Sequence, residues 1–158
     1  MKSQLNVYLW PNEKFMKEIF ILIAEDDADD RFLFKTAFEE KGYKDQIEFV
    51  ENGIELWKFL ENISKRATNE RIYPSFILLD LNMPKKDGRE VLREIKQHPE
   101  FKKIPVVVFT TTNSENEVKR CYELGANTYV VKPVSFDSLL KVVEEIRMYW
   151  QNAATVTD

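Results

Sequence analysis

Three stretches of this chain are apolar on consecutive residues rather than on alternate ones. They are IFILIA (19–24), the start of FILLD (76–80) and VVVFT (106–110). A strand that is apolar on both faces must be covered on both, as in a parallel sheet with helices on either side. TYVVK (128–132) is a shorter strand of the same kind, and the more mixed IEFVEN (47–52) suits an outer position.

The intervening segments carry helical spacing. Phe34, Ala37 and Phe38 share one face, as do Leu56, Phe59, Leu60 and Ile63, and then Val91, Leu92 and Ile95. The segment 114–125 opens on Ser114 and Glu117, a capping-box pattern, and closes on Gly125. The segment 135–150 places Phe136, Leu139, Leu140, Val143 and Ile146 on one side. Five strands alternating with five helices make a doubly wound α/β unit, (βα)5, and right-handed crossovers put helices on both faces. The polar stretch 61–74 ends the second helix in a long loop. The expected division is an N-terminal extension at 1–15, a domain at 16–150 and a tail at 151–158. Met16 would make a normal start; alternatively 1–15 is a loosely attached arm touching the body through Tyr8, Leu9 and Trp10.

A length of 158 residues with 44% hydrophobic content supports one packed core. A net charge of −4 argues against a dedicated nucleic-acid binder. One cysteine, Cys121, rules out an internal disulfide. No apolar run approaches the roughly 20 residues of a membrane-spanning helix, and no signal peptide is read, so the expected location is the cytoplasm, with no membrane partner.

In an open α/β sheet the carboxyl ends of the strands form the binding edge. Here those ends carry Glu25-Asp26-Asp27, Asp80, Thr110-Thr111-Thr112 and Lys132-Pro133. Glu25, Asp26 and Asp80 would repel one another unless a cation intervened. Clustered hard oxygens without histidine or cysteine suit Mg²⁺ better than zinc, and Mg²⁺ recruits phosphate oxygens. A lysine about 4 Å from a carboxylate or phosphoryl group contributes roughly 4 kcal/mol at an effective dielectric near 20. The pattern reads as a phosphoryl site beside a carboxylate, balanced by a metal and a lysine.

Four motifs in this order, AEDD (24–27), LLDLNMPKKDG (78–88), VVVFTTT (106–112) and GANTYVVKP (125–133), resemble the receiver domain of bacterial two-component response regulators, over roughly 19–150. The resemblance implies a flavodoxin-like receiver with sheet order 2-1-3-4-5. It implies that Asp80 takes a phosphoryl group from a sensor histidine kinase, with no catalysis beyond its own phosphorylation and dephosphorylation. Asp26 would bind Mg²⁺ directly, Glu25 through water, and Asn82 through its backbone carbonyl. Lys132 would pair with phosphoryl oxygens, Thr110 would donate its hydroxyl to one, and Tyr129 would turn inward as the aromatic switch. Lys132–Pro133 would be a cis peptide. The acidic pair is Glu-Asp where the commoner pattern is Asp-Asp, which implies slightly altered metal affinity.

The chain ends shortly after the fifth helix, so a stand-alone receiver is expected. It would signal through the face of the fourth helix, fifth strand and fifth helix, which is also the route to a homodimer, with Trp150 a partner contact or a core cover. The long loop before the third strand, the wording DLNMPKKDGREVL and the Tyr-Trp ending are similar to regulators paired with bacteriophytochrome kinases. The rival readings fit less well. A phosphatase of the haloacid dehalogenase kind needs an acid where Asn82 stands, and a flavodoxin-like electron carrier needs a Ser/Thr/Gly-rich loop where Glu25-Asp26-Asp27-Ala28 stands. A receiver-like interaction module that works without phosphorylation stays open.

Simpler expectations hold for other residues. Asp27, Asp29 and Asp30 read as an acidic first helical turn, Asp87 as an N-cap and Cys121 as a small core residue. His98 is expected to face solvent, and Lys85, Lys86, Arg89 and Arg93 to form a solvated face.

Overall fold

The computed structural model describes residues 19–149. The expected extension at 1–15, Trp150 and the tail at 151–158 lie outside the described residues. The elements alternate as expected: β1 (Phe20–Ala24), α1 (Ala28–Glu40), β2 (Gln46–Val50), α2 (Gly53–Ser64), β3 (Phe76–Leu79), α3 (Gly88–Gln97), β4 (Val106–Thr110), α4 (Glu115–Glu123), β5 (Thr128–Val131) and α5 (Phe136–Met148). Among the described residues all strand pairs are parallel, in the spatial order β2-β1-β3-β4-β5. Two 3₁₀ turns, Thr68–Glu70 and Phe101–Lys103, sit in the connections.

The consecutive apolar runs are explained by two cores. Leu22, Ala24, Ile77, Leu79, Val106 and Val108 point to one side, where α2 and α3 supply Leu56, Leu60, Val91, Leu92 and Ile95. Ile21, Ile23, Phe76, Leu78, Val107 and Phe109 point to the other, where α1 and α5 supply Phe34, Phe38, Leu139 and Val143. Alternate residues of one strand thus serve opposite cores, as the period of two requires. Burial of each large side chain contributes roughly 1.5–3 kcal/mol.

All five helices start at the carboxyl edge of the sheet, and all five are capped there. Asp27, Asn52, Asp87, Ser114 and Ser135 each accept a backbone N–H from the first turn, and a cap of this kind stabilises by about 1 kcal/mol. The helix at 114–125 forms only half of its expected capping box. Ser114 accepts from the Glu117 N–H at 3.5 Å, but the Glu117 carboxylate turns away to Arg89.

The opposite edge holds a buried ion pair that the apolar pattern of α5 did not announce. Arg147 follows Leu139 and Val143 at i+4 spacing, so it lies on the core side of its helix. Its Nε donates to Asp45 Oδ2 at 2.6 Å, with the two side chains 2% and 0% exposed. Asp45 Oδ1 accepts the Ile19 N–H at 3.1 Å, and the guanidinium lies 5.1 Å from the Tyr43 ring centre. Asp45→Ala removes the buried carboxylate that faces the Arg147 guanidinium and should lower stability by about 3–5 kcal/mol. The check is a urea denaturation midpoint, which should drop well below wild type with the slope unchanged.

Candidate functional site

The parallel ladder runs one residue past β1, β3 and β5, and those extra residues meet at one edge of the sheet. Glu25 N–H donates to Val50 O at 2.9 Å, Asp80 N–H to Ala24 O at 3.1 Å, and Lys132 N–H to Thr110 O at 2.8 Å. Strand pairing therefore sets Glu25, Asp80 and Lys132 on one edge as rigidly as it sets the core.

Their side chains meet. Lys132 Nζ lies 2.6 Å from Glu25 Oε1, 3.0 Å from Asp30 Oδ2 and 3.5 Å from Asp80 Oδ2. Glu25 Oε2 also accepts the Asp27 N–H at 3.2 Å, and Asp80 Oδ1 accepts the Asn82 N–H at 3.3 Å. Glu25 and Asp80 are buried, while Asp26 is exposed. One oxygen from each of Glu25, Asp26 and Asp80 falls within 4.8 Å of the others, close enough for all three to hold one metal ion. Three carboxylates, Glu25, Asp30 and Asp80, contact the one ammonium, and Asp26 lies beside two of them. Burial, with the neighbouring Asp80 charge adding to it, pushes Glu25 up to about 7 against the opposing Lys132 hydrogen bond. Burial works against the Lys132 charge, but hydrogen bonds to Glu25 and Asp30 outweigh it and hold its pKa above the ordinary lysine value. The arrangement is short of positive charge, and hard oxygen donors without histidine or cysteine fit a divalent cation of the Mg²⁺ class.

Thr110 is fully buried, and its Oγ1 has no hydrogen-bond partner among the described residues. Such a hydroxyl is costly unless another acceptor or donor comes to it. Tyr129 is half-buried, and its hydroxyl donates to Thr112 O at 2.6 Å. Its N–H donates to the Tyr122 hydroxyl at 3.1 Å.

Several expectations need correction. There is no cis peptide among the described residues, so Lys132–Pro133 is trans. Trans is favoured by about 0.5–1 kcal/mol before proline, and the lysine reaches the acids from that backbone. Asp30 is not one of three equivalent first-turn acids. Asp27 caps α1, whereas Asp30, three residues on, pairs with Lys132. Arg89 is not on a solvated face. Its two nitrogens grip Glu117 at 2.7 Å each, and Nη1 reaches Asp87 Oδ2 at 3.0 Å. Lys86 pairs with Glu94 at 2.5 Å. His98 does not face solvent but is half-buried and stacks on Phe101 with ring centres 3.7 Å apart. Its Nδ1 accepts the N–H groups of Glu100 and Phe101 at 3.1 Å. Cys121 is buried, as expected.

Two glycines press the loops around Asp80 into place. A Cβ on Gly88 would lie 2.4 Å from Asp80 O, and one on Gly53 would lie 2.4 Å from Lys86 O. Helix propensity alone would make alanine the better residue at either position by about 1 kcal/mol. Contact with backbone should reverse that sign. Gly88→Ala and Gly53→Ala should each destabilise by about 1–3 kcal/mol in thermal melts.

Comparison with known proteins gives a consistent result. The profile of the response regulator receiver domain matches residues 21–144. Response regulator Rcp1 of Synechocystis sp. is 39% identical over 136 residues, covering 86% of this chain and 91% of Rcp1. The crystal structure of the phosphorylated cyanobacterial phytochrome response regulator RcpA superposes with a TM-score of 0.79 at 34% identity, over 90% of this chain and 100% of RcpA. The Mn²⁺-bound form of Rcp1 superposes with a TM-score of 0.76 at 37% identity, over 89% of this chain and 99% of Rcp1.

Proposed function

The chain belongs to the response regulator receiver domain family, and on that premise we propose that it is a phosphoacceptor regulator in which Asp80 carries the phosphoryl group. The observation that carries the proposal is the meeting of Asp80 with Lys132 and with the Glu25–Asp26 pair at one sheet edge. A carboxylate oxygen of Asp80 attacks the phosphorus of a phosphohistidine. The new O–P bond forms as the P–N bond breaks, and the imidazole leaves with the electron pair. Lys132 holds charge on the transferred oxygens, and the Thr110 hydroxyl donates to one of them. Asp26 and Asp80 side chains and the Asn82 carbonyl would hold Mg²⁺, with Glu25 acting through water, and the ion bound there would supply charge neutralisation for carboxylate and phosphoryl oxygens.

The donor is a sensor histidine kinase. The relatives favour a phytochrome-type kinase, since RcpA is a phytochrome response regulator. The response is carried by α4, β5 and α5, with Tyr129 following Thr110, and the same face serves a homodimer. Exposed Tyr122, Val131 and Met148 give that face the apolar surface a partner needs. The receiver spans 16–150 and works in the cytoplasm. No described helix is long and apolar enough to cross a membrane.

With Mg²⁺ and acetyl phosphate, wild type should gain one hydroxylamine-sensitive phosphoryl group and Asp80→Asn none. Intact-mass measurement decides this, and a labelled Asp80→Asn protein removes Asp80 from the role. Lys132→Ala, with Mg²⁺ present, should keep the wild-type far-UV spectrum but lose the change on the α4 face. Amide NMR shifts around Tyr122 on adding beryllofluoride provide the reading, and wild-type shifts in that variant would exclude the lysine from coupling.

A further inference from the structure

We propose that Asp30 is a positioning residue that draws the Lys132 ammonium away from Asp80 in the unmodified protein and releases it when Asp80 is phosphorylated. The proposal rests on Asp80 being the acceptor. An ammonium has three N–H donors, and here three carboxylates share them at unequal distances. Glu25 stands at 2.6 Å, Asp30 at 3.0 Å and Asp80 at 3.5 Å. The acceptor therefore has the longest of the three contacts.

Phosphorylation replaces the single negative charge of Asp80 with an acyl phosphate carrying about two, and adds three strong acceptor oxygens. Three donors cannot then serve every acceptor, and one existing contact has to yield. The burial of the partners decides which. The side chain of Glu25 is 2% exposed and that of Asp30 is 36% exposed. Releasing Glu25 would strand a carboxylate in the interior, a far larger cost than returning a partly solvated carboxylate to water. A recess of about 90 Å³ borders both Asp30 and Lys132, walled by Leu33, Pro133 and Phe136. It gives room for water to take the place of the ammonium at Asp30. Asp30 thus competes with the phosphoryl group for the lysine, and removing its charge should favour the modified state.

The test is calorimetric titration with beryllofluoride at saturating Mg²⁺ on the full chain. Asp30→Asn should tighten binding by about three- to ten-fold. Asp30→Glu, which keeps the charge, should stay within about two-fold of wild type. Asp29→Asn makes the same charge change on an exposed neighbour and should shift binding by under about two-fold, which separates the lysine contact from general electrostatics. Thermal midpoints measured alongside should match wild type. Equal effects at 29 and 30, or weaker binding by Asp30→Asn, would overturn the proposal while leaving Asp80 as acceptor. A wild-type protein that binds no beryllofluoride would overturn both.

Discussion

One ammonium shared among Glu25, Asp30 and Asp80 is the interaction on which the rest of the structure turns. Carboxylates this close repel, and two of them are buried where repulsion is least screened. Lys132 meets part of the demand and leaves the remainder. That residual negative charge suits the site to a divalent cation. With a cation there, a second anion such as a phosphoryl group could be received at an acidic edge. The fold and the chemistry meet here, because the ladder bonds that order β1, β3, β4 and β5 are continued by the backbones of Asp80 and Lys132.

Precision at that edge is maintained by backbone contact. Gly53 N–H donates to Lys86 O at 3.2 Å and Gly88 N–H to Leu81 O at 2.9 Å, so the loop after β3 is held from two sides. Lys85 within it adopts φ 67°, a left-handed conformation that disfavours side chains other than glycine, asparagine and aspartate. A loop held this tightly keeps the Asn82 carbonyl and the Asp80 side chain in fixed relation, which is what a small, geometrically demanding cation requires.

The strands, the helices and most of the site could be read from the sequence, and the residues missed share one physical cause. Consecutive apolar residues and i, i+3, i+4 spacing are local signals, and the strand-end acids follow once the topology is known. Asp30 with Lys132, Arg147 with Asp45 and Arg89 with Glu117 are pairings across 102, 102 and 28 residues. Charge alone cannot announce such a pairing. An acid in the first turn of a helix looks the same whether it faces water or a lysine, and an arginine at a core-facing position looks like a break in the apolar stripe. The i+4 spacing of Arg147 from Val143 was the one available hint. Pro99 signals a loop beside His98, but a loop need not be exposed. The His98 ring instead caps the turn that follows.

If Asp80 is phosphorylated, a means of switching can be argued from what is already poised. The buried Thr110 hydroxyl lacks a partner among the described residues, and a group of that kind carries a penalty of about 1–3 kcal/mol. An acceptor oxygen arriving on Asp80 would recover that penalty only if Thr110 is positioned to meet it. Two residues further on, the Thr112 carbonyl holds the Tyr129 hydroxyl, and Tyr129 in turn holds Tyr122 of α4 through its backbone. Movement at Thr110 therefore strains the very segment that anchors Tyr129. A recovered penalty of about 1–3 kcal/mol corresponds to a shift of roughly 5- to 150-fold between two arrangements. That is enough to change which of them dominates, provided the resting bias is no larger. The Arg89 grip on Glu117 ties α4 to the start of α3, so a movement of α4 would work against that ion pair.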